Sequence, residues 1–148
     1  MSHKLDINKQ MSKEEIYLIK LIEKDKNKAL KLPLLLITLM TIELFIDIVL
    51  KTNVFILIIV TYCFSLIINT YVFYKLNLAK ERLSLVFTAN HNNITINKLL
   101  DLNKNETKKL IPVGVSWKNF RLEYLMLVIN AFLCINIVFV SYINNFVV

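Results

Sequence analysis

The chain is poor in nearly everything that phosphate and nucleophile chemistry requires. Its 148 residues include one glycine, Gly114, with two prolines, two histidines, two cysteines and one tryptophan. One glycine excludes a GxGxxG loop, a Walker loop and a GxSxG elbow, since each needs several glycines where backbone meets phosphate or turns sharply. His3 and His91 lie far apart and neither has a ligand partner three or four residues on, so no zinc site is expected. Cys63 and Cys134 form no CxxC pair and sit in apolar stretches, where they read as small apolar fillers. The expectation is a protein that is not an enzyme, with no catalytic residue, no cofactor and no metal site.

Arginine is scarce too, at two residues, Arg82 and Arg121, against sixteen lysines. With abundant Asn and Ile, that balance is what an AT-rich genome encodes, and a bacterial source is expected. The net charge of +7 does not call for nucleic acid, because acids such as Glu14, Glu15, Glu23 and Asp25 are interleaved with the lysines. Cations flanking apolar segments fix membrane orientation and attract anionic lipid, at about 1 kcal/mol per residue near the surface.

What the chain has in quantity is apolar side chains, 56% of the total, with a mean hydropathy of +0.55. They fall into three blocks, Leu34–Leu50, Val54–Tyr74 and Leu122–Tyr142. Each approaches the roughly 20 residues that a helix needs to cross about 30 Å of hydrocarbon. The expected fold is an all-α integral membrane protein with three transmembrane helices. Residues 1–32 form a cytoplasmic amphipathic helix, 33–75 a transmembrane hairpin, 76–121 a small helical cytoplasmic segment, 122–143 the third span, and 144–148 a short external tail.

Orientation follows from the cations. Eight lysines precede the first block and nine Lys or Arg lie from Lys75 to Arg121, leaving Lys51 alone on the other side. Short Lys/Arg-rich segments stay cytoplasmic, so the amino terminus is expected inside the cell (inner) membrane and the carboxyl terminus outside. The first 30 residues lack the uninterrupted apolar core of a signal peptide. Trp117 and Tyr124, with Tyr71 and Tyr74, are expected to mark the cytoplasmic headgroup level. Asn93-Ile94-Thr95 and Asn105-Glu106-Thr107 match the glycosylation pattern on the wrong predicted side.

Local signals refine the elements. Ser12-Lys13-Glu14-Glu15 has the spacing of a capping box, and Ile16, Ile19 and Ile22 give the following helix an apolar side. Pro33 suits the first turn of the first span. The second helix is expected to continue through Phe87 and to break at 89–93. Short helices are expected over Thr95–Leu102 and Glu106–Ile111, ended by Pro112 and Gly114. Some 40 residues cannot hold an independent core, so this segment must pack on the membrane, the amino-terminal helix or another subunit.

Glu43 and Asp47, one turn apart inside the first block, are the residues that ask for a functional explanation. Twelve Leu, Ile, Val and Phe side chains favour insertion of that block by roughly 4 to 7 kcal/mol in total, and each central acid opposes it by up to about 3. The hairpin with the uncharged second block is therefore the expected insertion unit. Aligned by depth, Glu43 falls level with Thr61, Tyr62 and Asn130 or Cys134, and Asp47 with Asn136. Tyr62, Ser65 and Asn69 share a face of the second helix; Asn130, Cys134 and Ser141 share one of the third. No Lys, Arg or His lies at that depth within one chain. The acids are then neutral hydrogen-bonded links between helices, or they line an ion or proton path in a homo-oligomer, or a basic membrane partner supplies the missing charge.

The succession of cytoplasmic helix, tight two-span hairpin, helical cytoplasmic segment and third span resembles the small membrane effectors of nucleotide-signalled phage defence, with Asp25 to Ala29 similar to the charged stretch before their first span. The layout is equally compatible with a bacteriocin immunity protein. The resemblance implies an alternative function, a membrane effector or accessory subunit whose cytoplasmic segment receives a signal or docks a partner.

Overall fold

The computed structural model describes residues 12–51, 53–102, 106 and 109–147. Helices account for most of them: α1 (Lys13–Val49), α2 (Phe55–His91), the short α3 (Ile96–Asp101), a 3-10 turn (Trp117–Phe120) and α4 (Arg121–Phe146). Three of these, α1, α2 and the helix from Trp117 to Phe146, are long and apolar enough to cross a membrane. At 1.5 Å per residue the 37 residues of α1 and of α2 each reach about 55 Å, well beyond the hydrocarbon thickness.

The capping box starts α1 where the spacing places it. The Ser12 hydroxyl accepts from the Glu15 N–H at 3.2 Å, and the Glu15 carboxylate accepts from the Ser12 N–H at 3.0 Å. Glu14 and Glu15 put negative charge at the positive end of the helix. The Glu14 carboxyl is held below its ordinary range, chiefly by its own backbone N–H and then by the Ser12 hydroxyl. Pro33 does not begin a separate helix. It lies buried inside a continuous α1, where good helix formers such as Leu18, Lys20, Leu21 and Ala29 carry the helix through both the missing N–H and the crowding of the ring against the Ala29 carbonyl. No break therefore separates 1–32 from the first apolar block; residues 1–11 lie outside the described set.

Helix α1 stops at Leu50, and Lys51 takes a left-handed conformation at φ 51°, turning the chain into α2 within a few residues. Helix α2 runs four residues past Phe87, ending at His91, and Asn93 then adopts φ 54°, which asparagine tolerates better than most residues. Thr95 caps α3 by accepting from the Lys98 N–H. The expected helix over Glu106–Ile111 falls partly outside the described residues, as do Asn105 and Thr107 of the second glycosylation pattern.

Helices α1 and α4 run parallel, with α2 antiparallel to both. Residues hydrogen-bonded between the α1 and α4 sides are separated by 93 to 98 positions at both ends of the bundle, so the two helices keep one register throughout. The buried stripe of α1, Ile22, Asp25, Ala29, Pro33, Leu36, Met40, Glu43 and Asp47, follows three- and four-residue steps, the seam of a helix packed against neighbours. Ala29, Ala79, Ser65, Cys134 and Ser141 are buried where helices meet, and small residues there permit close approach.

At the end opposite the α1–α2 hairpin, the chain after α2 packs back on α1 and α2. Val86, Ala89, Ile96 and Leu99 form a small core with Leu18, Leu85, Ile94, Leu102 and Leu110 around it. Thr88 Oγ1 accepts from the Val113 N–H at 3.0 Å, and the Asn92 carboxamide bonds both the N–H and the carbonyl of Ile111. This basic end is also pinned by charge. Arg82 Nη1 meets Asp25 Oδ2 at 2.9 Å, while the adjacent Lys26 donates to the Asn119 carbonyl at 2.8 Å, lies 3.4 Å from Glu123 and sits over the Phe120 ring. Two consecutive residues of α1 thus tie it to α2 and to the start of α4.

Asp25 is largely buried, so removing its partner strands a charge. Arg82→Ala is expected to lower stability by about 1–3 kcal/mol, measured by thermal unfolding in detergent, and Arg82→Lys by less.

Candidate functional site

Several polar residues of the apolar helices, Glu43, Asp47, Thr61, Ser65, Asn130 and Ser141, are buried in the interior of the one chain. Glu43 and Asp47 fall on the buried stripe of α1, one turn apart, and are 6% and 1% exposed. Their surroundings differ sharply.

Asp47 collects donors from α4 and from the residue that precedes α2. Its Oδ2 accepts from Ser141 Oγ at 2.7 Å and from Asn145 Nδ2 at 2.8 Å, with Asn144 Nδ2 at 3.5 Å. Its Oδ1 accepts from the Val54 N–H at 3.3 Å, which satisfies one of the amides left unpaired at the start of α2. Every contact donates to the carboxyl and none accepts from it, the pattern that an ionised carboxylate accommodates. One side chain of α1 thereby holds the first residue before α2 and the last turn of α4.

Glu43 has one partner. Its Oε1 accepts from Thr61 Oγ1 at 2.8 Å, and its Oε2 is the one buried side-chain oxygen or nitrogen among the described residues with no hydrogen-bond partner. Met40, Ile58 and Cys134 form the apolar cluster beside it, with Tyr62, Ile137 and Val138 packed against them. A buried carboxyl with a vacant oxygen is a costly arrangement in structural terms, of the order of 1–3 kcal/mol, and such exceptions mark candidate sites.

A second polar group lies toward the basic end. Asn130 Nδ2 donates to Asn69 Oδ1 at 2.7 Å and to Ser65 Oγ at 3.3 Å, while Cys134 Sγ donates to Asn130 Oδ1 and contacts Ser65. Asn130 is fully buried and joins α2 to α4. Further along, Tyr124 Oη donates to Asn77 Oδ1 at 2.7 Å. Asp47, Glu43, Ser65, Asn69, Asn130, Asn77 and the Asp25–Arg82 pair thus form a discontinuous polar spine through the bundle.

The structure brings together Glu43 with Thr61, and Ser65 with Asn69 and Asn130. It places Tyr62 in an apolar cluster. It corrects the pairing of Asp47 with Asn136: Asn136 is exposed, its carboxamide donating to the Phe132 carbonyl of its own helix at 2.7 Å. The reason is helical phase. Asn136 lies two residues from Cys134, about 200° around α4, so the face that carries Asn130, Cys134 and Ser141 inward carries Asn136 outward. Depth alignment alone found Thr61 but could not separate Asn136 from Ser141.

Of the aromatic anchors, Tyr71, Tyr74 and Trp117 are outward and exposed. Tyr124 instead turns its hydroxyl inward to Asn77 and packs edge-on against Phe73. Asn144 and Asn145, read as the start of an external tail, belong to α4 and bind Asp47. They were hidden because they follow the last apolar block, although Asn145 lies on the same face as Cys134 and Ser141. Among the described residues no cluster of His, Cys, Asp or Glu could hold a metal ion.

The two acids should separate in a stability measurement. Asp47→Ala leaves the buried Ser141 hydroxyl and the half-buried Val54 N–H without their acceptor, while Asn145 keeps the Ser141 carbonyl, and is expected to cost about 1–3 kcal/mol. Glu43→Gln retains an acceptor for Thr61 and is expected to change stability by less than about 1 kcal/mol in the same detergent unfolding assay. No protein-family model, curated protein or solved structure matches the chain, so these roles rest on the geometry.

Proposed function

We propose that the protein is a non-enzymatic, multi-pass protein of the bacterial inner (cytoplasmic) membrane, with its amino terminus inside, and that Glu43 is a proton-exchanging site on a polar path through its interior. Three helices of spanning length, large outward side chains such as Leu35, Phe45, Ile67 and Phe132 left to the lipid, and the crowding of cations at one end support the membrane reading. The observation that carries the functional reading is the vacant Oε2 of Glu43 beside a single hydroxyl donor.

Asp47 is the less suitable exchanger, since donors from α4 and from the residue that precedes α2 already occupy its oxygens. It fits the role of a fixed polar group one turn from Glu43 toward the hairpin end. Thr61, Ser65, Asn69 and Asn130 extend polar side chains from Glu43 toward the basic end, and intramembrane acids with such neighbours line proton relays. Because both acids have donors in their own chain, the path lies within one bundle, and copies in a homo-oligomer meet through outward faces.

A second reading, a membrane effector or accessory subunit that docks a partner at the basic end, draws on an open groove of about 330 Å³ between α1 and α3, where Tyr17 and Leu100 stand exposed beside Lys13, Glu14 and Asn97. Under it, Tyr17→Ala with Leu100→Ala abolishes the cellular phenotype and leaves membrane flux unchanged.

The first reading is tested in liposomes carrying a pH-sensitive dye. The unaltered protein is expected to dissipate an imposed pH gradient and Glu43→Gln to reduce the rate at least ten-fold while the bundle stays folded. No flux from the unaltered protein, or undiminished flux from Glu43→Gln, ends it.

A further inference from the structure

Asn136 is the polar residue of α4 that the bundle leaves unused. With the 93- to 98-residue offset between α1 and α4, it lies level with residues 38–43 of α1, the middle of the apolar stretch Leu34–Leu50. Its carboxamide gives one N–H to the Phe132 carbonyl. Asn136 is exposed, and among the described residues no other hydrogen bond takes up its second N–H or its Oδ1. Other outward polar side chains of the spans need no such partner: Thr38, Thr41 and Thr70 each return their single hydroxyl proton to a carbonyl four residues back. A carboxamide has two donors and an acceptor, and its own helix takes up one donor.

The residues around Asn136 form a seam. Leu125, Ile129, Phe132, Asn136 and Phe139 follow four- and three-residue steps along the outer face of α4, and the four apolar ones are 38–66% exposed. In an apolar helix such spacing alone says little. A single asparagine in the middle of the seam says more, because a lone polar residue at a seam position fixes register and partner number in helix zippers.

We infer that this face of α4 is the contact between two copies of the chain, joined by reciprocal Asn136–Asn136 hydrogen bonds. Self-complementarity names the occupant. Copies inserted by the same charge asymmetry have the same orientation, so a two-fold axis along the membrane normal sets each residue at the depth of its own counterpart. Of the seam residues, asparagine alone can both donate to and accept from itself. In hydrocarbon the other choice for the carboxamide is an unpaired donor and acceptor. The seam is on the opposite side of α4 from Asn130, Cys134 and Ser141, so pairing leaves the internal spine intact.

The inference rests on the membrane reading above. Its test uses the full chain reconstituted in phosphatidylethanolamine–phosphatidylglycerol vesicles, with copies counted by single-molecule photobleaching over a range of protein-to-lipid ratios. The unaltered protein is expected to dimerise. Asn136→Leu, which suits a lipid-facing site, is expected to raise the dissociation constant about ten-fold, and Asn136→Gln to restore most of the affinity. In a Cys63→Ala background, Phe132→Cys is expected to form a disulfide between copies and Ile135→Cys, about 100° from Asn136 on the helix, to form little. A monomer at every ratio, an unchanged dimer in Asn136→Leu, or equal crosslinking at the two cysteines overturns the interface. Extraction by alkaline carbonate separates the failures: a chain that stays in the membrane but is monomeric loses the interface alone, and one that washes off loses the membrane reading as well.

Discussion

The bundle depends on the Asp47 carboxylate. In water three helices are driven together by their apolar faces, but lipid tails are as apolar as leucine and that drive is weak between spanning helices. What then selects one arrangement is packing and the need of polar groups for partners. Asp47 answers it at the hairpin end by accepting from Ser141 and Asn145 of α4 and from the backbone before α2. Asp25 and Lys26 do so at the basic end. These pins are 21 or 22 residues apart on α1, about 32 Å of helix, close to the thickness of a hydrocarbon core. Between them the helices cannot slide by one turn without stranding a buried charge.

Glu43 takes its meaning from that fixed frame. A carboxyl on a loosely held helix would rotate to find donors for both oxygens. On α1 it cannot, because Met40 and Asp47 share its stripe and are themselves committed. The vacancy at Oε2 is thus a product of the register rather than of local sequence. The same logic distinguishes the two acids, which look alike as residue types at similar depth.

Much of the architecture was legible in the sequence, and the reasons are elementary. Three apolar blocks, a capping box at Ser12 and a break near Asn92 are local signals, and local signals placed the helices. The limits of the helices were less legible: Pro33 suggested a start and proved to be interior, because good helix formers around it carry α1 through the missing N–H and the crowded preceding turn. In the site, depth found Glu43 with Thr61 and helical face found Asn130 with Ser65 and Asn69. Asn136 misled because depth ignores phase. Asn144 and Asn145 were overlooked because polarity past an apolar block resembles a tail, and Asp25–Arg82 and Lys26–Glu123 because pairs in lysine-rich segments are not distinguished by sequence spacing.

The continuity of α1 also constrains how Glu43 could exchange a proton. Turning α1 to bring Glu43 outward would carry Asp47 away from Ser141 and Asp25 away from Arg82, since all three acids share its buried stripe. Breaking both pins together costs several kcal/mol, against a much smaller gain for one oxygen. Under the proposed proton exchange the backbone therefore stays in place and the Glu43 side chain rotates about its own bonds. That constraint suits the proposed passage of a proton better than that of a larger ion, which would need a cavity beside Glu43.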